Sequence, residues 1–235
     1  AREDATEGGR MGLLDRWRHR TAGGGEPASP PRPGRRSRRP PEVDPPVIGE
    51  AALREALRED PNDEQAFSAL AETVRTRAAR SREEAGAEGP EDVTRAADNA
   101  VWALAEELAQ SPKAWRPLLV LGRLSLGDDR EAALRRLGIA AERDPSGVAL
   151  AQALAVLREA GMNDEALSLG VGHWRPREHD VEAGRHLVAA AIDSGRLAEA
   201  RRHLRALADH PDQGRVAALS AELEDAIAAA DKARR

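Results

Sequence analysis

GDDREA at Gly127 to Ala132, GMNDEA at Gly161 to Ala166 and GRLAEA at Gly195 to Ala200 spell one pattern: Gly, three free positions, Glu, Ala. Each copy begins 34 residues after the last. A fixed interval of that length marks a helical repeat, in which each unit buries its apolar face only against its neighbours. The Gly closes one helix in the left-handed conformation, the Glu lies in the first turn of the next helix near its positive end, and the Ala lets the two helices approach. Each motif is therefore the corner of a helical hairpin. Prolines punctuate the other corners: Pro112, Pro145, Pro176 and Pro211 lie 33, 31 and 35 residues apart, where a helix has to end. Glu-Ala pairs recur by chance in an Ala-rich helical bundle, but two independent series with one period do not.

The helical period recurs outward from these corners. A helix over Gly49 to Glu59 is expected to stop at Asp60 and Pro61. Asn62 or Asp63 then caps a second helix with Phe67, Leu70, Val74 and Ala78 on one face. A loop rich in Glu, Gly and Ala, roughly Arg82 to Pro90, reads as an insertion, which accounts for the 51 residues between Pro61 and Pro112. Val93, Ala97, Val101, Leu104 and Leu108 share the next helical face. After Pro211, Val216, Leu219, Leu223 and Ile227 lie on one side of a last helix with charges elsewhere, the pattern of a terminal cap.

At this point the chain resembles the tetratricopeptide repeat family, and within it a bacterial member, over roughly residues 62 to 211. The family unit is a 34-residue helix-turn-helix with small residues at the helix contact and a Pro closing the second helix. Ala133, Leu137 and Ala140 fall on its small, large, small positions, Trp115 and Gly122 stand near its first-helix Trp and Gly, and Leu187, Ala200 and Leu204 fit the unit ending at Pro211. The Gly127 motif and Pro145 imply registers that differ by one residue, and Gly184 stands where a large residue is usual. The resemblance implies an all-α fold, a right-handed α-solenoid of antiparallel helix pairs, with repeats at about 62–112, 113–145, 146–176 and 177–211 and a capping helix at 212–235. It also implies a non-enzymatic scaffold or adaptor that binds a peptide or helix of a partner protein on the concave face. The inner positions are then Leu121 and Leu124 in one repeat, Val148, Ala151, Ala155 and Arg158 in the next, and Glu182, Arg185, Ala189 and Ile192 in the last, a groove expected to be largely apolar with Arg at one side. Family members that clamp a carboxy-terminal peptide use Lys and Asn there; this chain has neither, which disfavours that ligand.

Composition bounds the alternatives. With 33% charged residues and 2% aromatics, one Phe and no Tyr, the core is built from Ala and Leu and departs from that of a compact enzyme. The absence of Cys excludes disulfides, thiolate metal sites and cysteine nucleophiles. The longest nearly apolar stretch, Val148 to Leu157, is about half of a membrane span. Residues 1–47 read as a disordered tail ahead of the helical domain at 48–235: eight of the fifteen prolines lie between Pro27 and Pro46, and Gly8 to Pro41 holds nine Arg against two acids. The body carries 26 basic and 34 acidic residues, a net of −8. Met11 to Arg20 places Leu13, Leu14 and Trp17 beside Arg16, Arg18 and Arg20, one or two turns of an interfacial helix at most. A translation start at Met11 is compatible with this reading. The segment lacks the apolar centre of a secretory signal, and a cytoplasmic location is expected.

The cluster Arg35, Arg36, Arg38 and Arg39 carries the alternative function, a peripheral nucleic-acid or membrane factor that meets phosphates through its tail. Against it stands the general excess of 34 Arg over two Lys, which reads as codon bias. Catalytic and metal constellations are weak, and no cofactor is expected. His179 with His186 and His203 with His210 are seven apart, two helical turns or about 10 Å, too far to share a metal. They read as packing or solvent-facing residues. Phosphate-cradling, metalloprotease and nucleophile-elbow motifs are absent. Trp174, in the irregular Gly170 to Asp180 segment, is expected to fill space left by a shortened helix. The partner protein is not specified by the sequence, and self-association is compatible with it.

Overall fold

A computed structural model of the chain describes residues 49–234; the readings made for residues 1–47 lie outside them. Among the described residues the chain is all-helical. Its ten helices are α1 (Glu50–Glu59), α2 (Glu64–Glu84), α3 (Pro90–Ala109), α4 (Arg116–Ser125), α5 (Arg130–Arg143), α6 (Val148–Glu159), α7 (Asn163–His173), α8 (Val181–Asp193), α9 (Leu197–Leu207) and α10 (Gln213–Ala233). Their breaks fall at Pro61, Pro112, Pro145, Pro176 and Pro211 and at the Gly127, Gly161 and Gly195 corners. Four helices open on an aspartate, Asp63, Asp129, Asp180 and Asp212, whose carboxylate accepts a backbone N–H of the first turn, satisfying a donor that the helix itself cannot.

The three glycine corners are not identical. Gly161 and Gly195 take φ of 74° and 70°, the left-handed conformation expected of them, whereas Gly127 has no positive φ. The cause is one extra residue. Residues 126–129 join α4 to α5, while 160–162 and 194–196 suffice at the other two corners. The longer connection closes with the N–H groups of Asp128 and Asp129 both donating to the Ser125 carbonyl, at 3.1 and 2.8 Å. The fourth residues of α5, α7 and α9 are consequently Ala133, Ala166 and Ala200, all 0% exposed. The structural register at the first corner thus follows Ala133, one residue beyond the Ala of the motif.

The expected loop from Arg82 to Pro90 is shorter than its composition implies. Residues 82–84 stay in α2, Pro90 already begins α3, and only 85–89 connect them. Arg and Glu extend a helix readily, and Pro is well tolerated in a first turn. The insertion is taken up by length: α2 and α3 have 21 and 20 residues, against 10 to 14 in α4 to α9.

Each helix packs on the one before it, and α4 with α6, α5 with α7, α6 with α8 and α8 with α10 also touch. Helix α6 buries Ala149, Leu150, Ala151, Ala153, Leu154, Val156 and Leu157, and the ten-residue α4 buries eight of its residues. Glycines set the closest approaches. A Cβ on Gly122 would lie 2.8 Å from the Leu137 side chain, and one on Gly170 would lie 2.6 Å from Leu187 Cδ1. A Cβ on Gly184 would lie 2.7 Å from both Leu207 Cδ1 and Trp174 Cζ2. The large residue missing at position 184 is thus replaced by Trp174, which also meets His203 edge-on with ring centroids 6.2 Å apart. Trp174 packs inward as expected, but over Gly184 and not in space left by a shortened helix, since α7 runs through Gly170 and Gly172 to His173.

Candidate partner-binding face

Of the hairpin-opening helices, α4, α6 and α10 carry a row of arginines, each joined to a carboxylate of another of these helices or of its cap. Arg116 of α4 meets Glu64 of α2 at 3.2 Å. Arg123 of α4 meets Glu159 of α6 at 3.4 Å. Arg158 of α6 donates through Nε and Nη2 to Asp193 of α8 at 3.1 and 2.9 Å. Arg215 of α10 reaches Asp180, the cap of α8, at 3.1 Å. Three of these pairs are separated by 35 or 36 residues, one repeat. Opposite charges one period apart are therefore the sequence signal for these residues, and the apolar pattern conceals it.

Burial raises the stakes at the first two rungs. The Arg116 and Arg123 side chains are only 6% and 9% exposed, and burial pushes the Arg116 guanidinium below its ordinary pKa despite Glu64 and Asp60 nearby. A guanidinium so placed is costly if its carboxylate is removed. At Asp180, burial opposes ionisation, yet the Arg215 hydrogen bond and the Glu182 backbone N–H hold its carboxyl below the ordinary value. The more exposed pairs are worth about 0–1 kcal/mol each.

The predicted inner residues divide into two groups. Leu121 and Ala151 are 3% and 6% exposed and belong to the core, so they present almost no area to a ligand. Leu124, Ala155, Arg158, Arg185 and Ile192 are half-buried. Arg158 and Arg185 come together around His186: Arg158 Nη1 lies 3.1 Å from Nδ1 and Arg185 Nη2 lies 3.0 Å from Nε2. Arg185 also donates to Glu182 at 2.5 Å. The face expected to be apolar with Arg at one side thus carries a knot of His186, Asp193 and Glu182 with the two arginines. Arg35, Arg36, Arg38 and Arg39 lie outside the described residues.

Among the described residues no three His, Asp or Glu side chains gather as a metal site. His179 and His203 are buried, 4% and 8% exposed. His179 packs against the α5–α6 corner, where a Cβ on Gly147 would lie 2.4 Å from its own Cβ. Burial, the first cause in each case, pushes both imidazoles below their ordinary pKa. Arg175 and His173 reinforce this at His179, where Glu178 and Asp144 oppose it; Arg202 reinforces it at His203, where Glu199 opposes it. No described helix is long and apolar enough to cross a membrane. Comparison of the chain with protein-family models, with curated proteins and with solved structures finds no match.

Proposed function

We propose that the helices form a right-handed, tetratricopeptide-like α-solenoid that serves as a protein-binding scaffold. A peptide or helix of a partner protein binds across α4, α6 and α8 at Leu124, Ala155, Arg158, Arg185 and Ile192. The solenoid reading is supported by the packing of each helix on its neighbour and of α4, α6, α8 and α10 in succession. The observation that carries the binding site is its composition: half-buried Leu124, Ala155 and Ile192 on the same helices as guanidiniums that are already aligned by carboxylates. Apolar area bordered by oriented polar groups is what peptide grooves present.

The test is a co-purification comparison between the wild-type chain and an Ala155→Glu/Ile192→Glu variant, with bound proteins identified by mass spectrometry. The proposal expects a defined partner to be lost from the variant while its thermal melt stays within a few degrees of wild type. A partner retained by the variant, or a melt that collapses with it, places binding elsewhere and assigns this row to the core.

A further inference from the structure

Residues 174–180, which join α7 to α8, are fastened at each end through a buried imidazole. At the near end Trp174 lies over Gly184 of α8 and meets the His203 ring of α9 edge-on. His203 is buried, and its Nε2 has no hydrogen-bond partner among the described residues. A neutral ring can keep its lone pair there. An imidazolium carries an N–H on both nitrogens, and the one on Nε2 would be buried without an acceptor. At the far end the segment is a closed turn. The His179 N–H donates to the Arg175 carbonyl at 3.0 Å, and the Arg175 N–H donates to His179 Nδ1 at 3.4 Å. A backbone N–H can only donate, so Nδ1 is the acceptor and the neutral ring carries its proton on Nε2. Protonation at Nδ1 would set N–H against N–H and break the turn at the residue that packs on Gly147. The bonds of Asp180 to the Ser146 carbonyl and to Arg215 would then be left to hold this end.

The surrounding charges do little to retain a proton on either ring. His179 is faced by Arg175 and Glu178 of the segment itself, by His173 of α7 and by Asp144 of the α5–α6 corner, with Asp180, paired to Arg215 of α10, beside it. His203 is faced by Arg202 and Glu199 of its own helix, and among the described residues no charge of the segment, of α8 or of α10 acts on it. Burial holds both imidazoles below their ordinary pKa. A ring that has left its place therefore takes up a proton more readily than one in it, and acid favours departure. Helix α8 is packed against α6, α7, α9 and α10, contacts that do not pass through the segment. We propose that residues 174–180 form a strap that mild acid releases at both ends, uncovering Trp174 and the surface at Gly184 while α6 and α8 remain folded.

Hydrogen–deuterium exchange of the full chain, corrected for the pH dependence of intrinsic exchange, tests this at about pH 7.5 and about pH 5, on either side of the ordinary imidazole value. The expected result is a loss of protection of about tenfold or more in residues 174–180, with α6 and the middle of α8 unchanged. Tryptophan emission should shift to the red over the same range, and Trp174→Phe should abolish that shift. A His179→Gln/His203→Gln variant should lose the response in the strap, and each single variant should keep part of it. The wild-type exchange pattern decides by itself if a variant fails to fold. Equal protection of the strap at the two pH values overturns the proposal, as does protection lost equally in α6 and α8. So does a response kept in full by the folded double variant.

Discussion

The hairpin of α2 and α3 and the hairpins from α4 to α9 are held by different forces. In α2 the buried residues are Ala66, Phe67 and Leu70, all in the first two turns, and in α3 they begin only at Ala97. The far part of that hairpin, from Val74 across the connection to Val93, contributes no fully buried residue. It is joined instead by ion pairs, Arg75 with Asp98 and Arg82 with Asp92. The shorter hairpins bury residues along their length and close on glycine contacts such as Gly122 with Leu137 and Gly170 with Leu187. Helix formation in the long arm therefore rests on local propensity and charge, and in the short hairpins on packing. The same residue type should then behave differently in the two regions.

Two glycines give the largest contrast. Gly86 and Gly147 have nearly equal left-handed φ, 82° and 79°, but a Cβ on Gly86 meets nothing within 4 Å, whereas one on Gly147 runs into the backbone and ring of His179. Gly86→Ala should cost only the conformational penalty, about 1–2 kcal/mol. Gly147→Ala should add overpacking of about 1–3 kcal/mol. Chemical denaturation of the two variants measures the difference directly. Equal losses would mean that the packed corner is as yielding as the open one.

A second contrast concerns acid. The imidazoles of His179 and His203 have lowered pKa values in the folded chain, so the unfolded chain binds protons first as pH falls. The stability associated with their neutral forms is complete above the unfolded value of 6.5. It is lost as pH drops from there through the folded values. The melting temperature of the wild-type protein should decline in this window, above the range of ordinary carboxylates. A His179→Gln/His203→Gln variant should show a flatter profile there, whatever its absolute stability. The long arm contains no His among residues 64–109, so hydrogen exchange in α2 and α3 should change least on mild acidification. A variant with an unchanged pH profile would assign the decline to other groups.

The smallest effect belongs to the arm itself. Arg82→Ala removes a partly exposed pair with Asp92 and should cost under about 1 kcal/mol globally. Amide exchange near residues 80–94 should nevertheless quicken measurably, since local opening there breaks few packed contacts. A loss of several kcal/mol would show that the arm is coupled to the body as tightly as the short hairpins are.

The parts legible in the sequence were those set by backbone chemistry. The periodic Gly and Pro end helices, so the corners could be read directly from their spacing, whereas Gly122, Gly170 and Gly184 lie inside helices. Helix length could not: residues 82–84 have loop-like neighbours but helical propensity, and the competition was settled by Asp92 pairing with Arg82 and by Pro90 opening α3. The inner face was half legible. Counting from the turn Gly found Leu124, Ala155, Arg158, Arg185 and Ile192 at the half-buried margin. It misplaced Leu121 and Ala151 because helices with neighbours on more than one side bury a wider arc than one stripe. Glu182 was counted among the inner positions, whereas Asp193 and the place of His186 were missed because an apolar period does not register charges paired across repeats.

Asn62 links two units. Its side-chain carbonyl accepts the N–H groups of Trp115 and Arg116 at 2.8 and 3.0 Å, and its amide donates to the Lys113 carbonyl at 2.9 Å. Trp115 stands at the start of α4 and supplies no side-chain cap of its own. That helix is thus capped by a residue made about fifty positions earlier, and Ser146 does a related service by accepting the Asp180 N–H at 2.7 Å. During synthesis these two capping acceptors leave the ribosome before the N–H groups that they receive, so the starts of α4 and α8 each meet a template that is already made. Shortening the chain from its amino-terminal side removes a template, whereas shortening it from the other side leaves every remaining one intact.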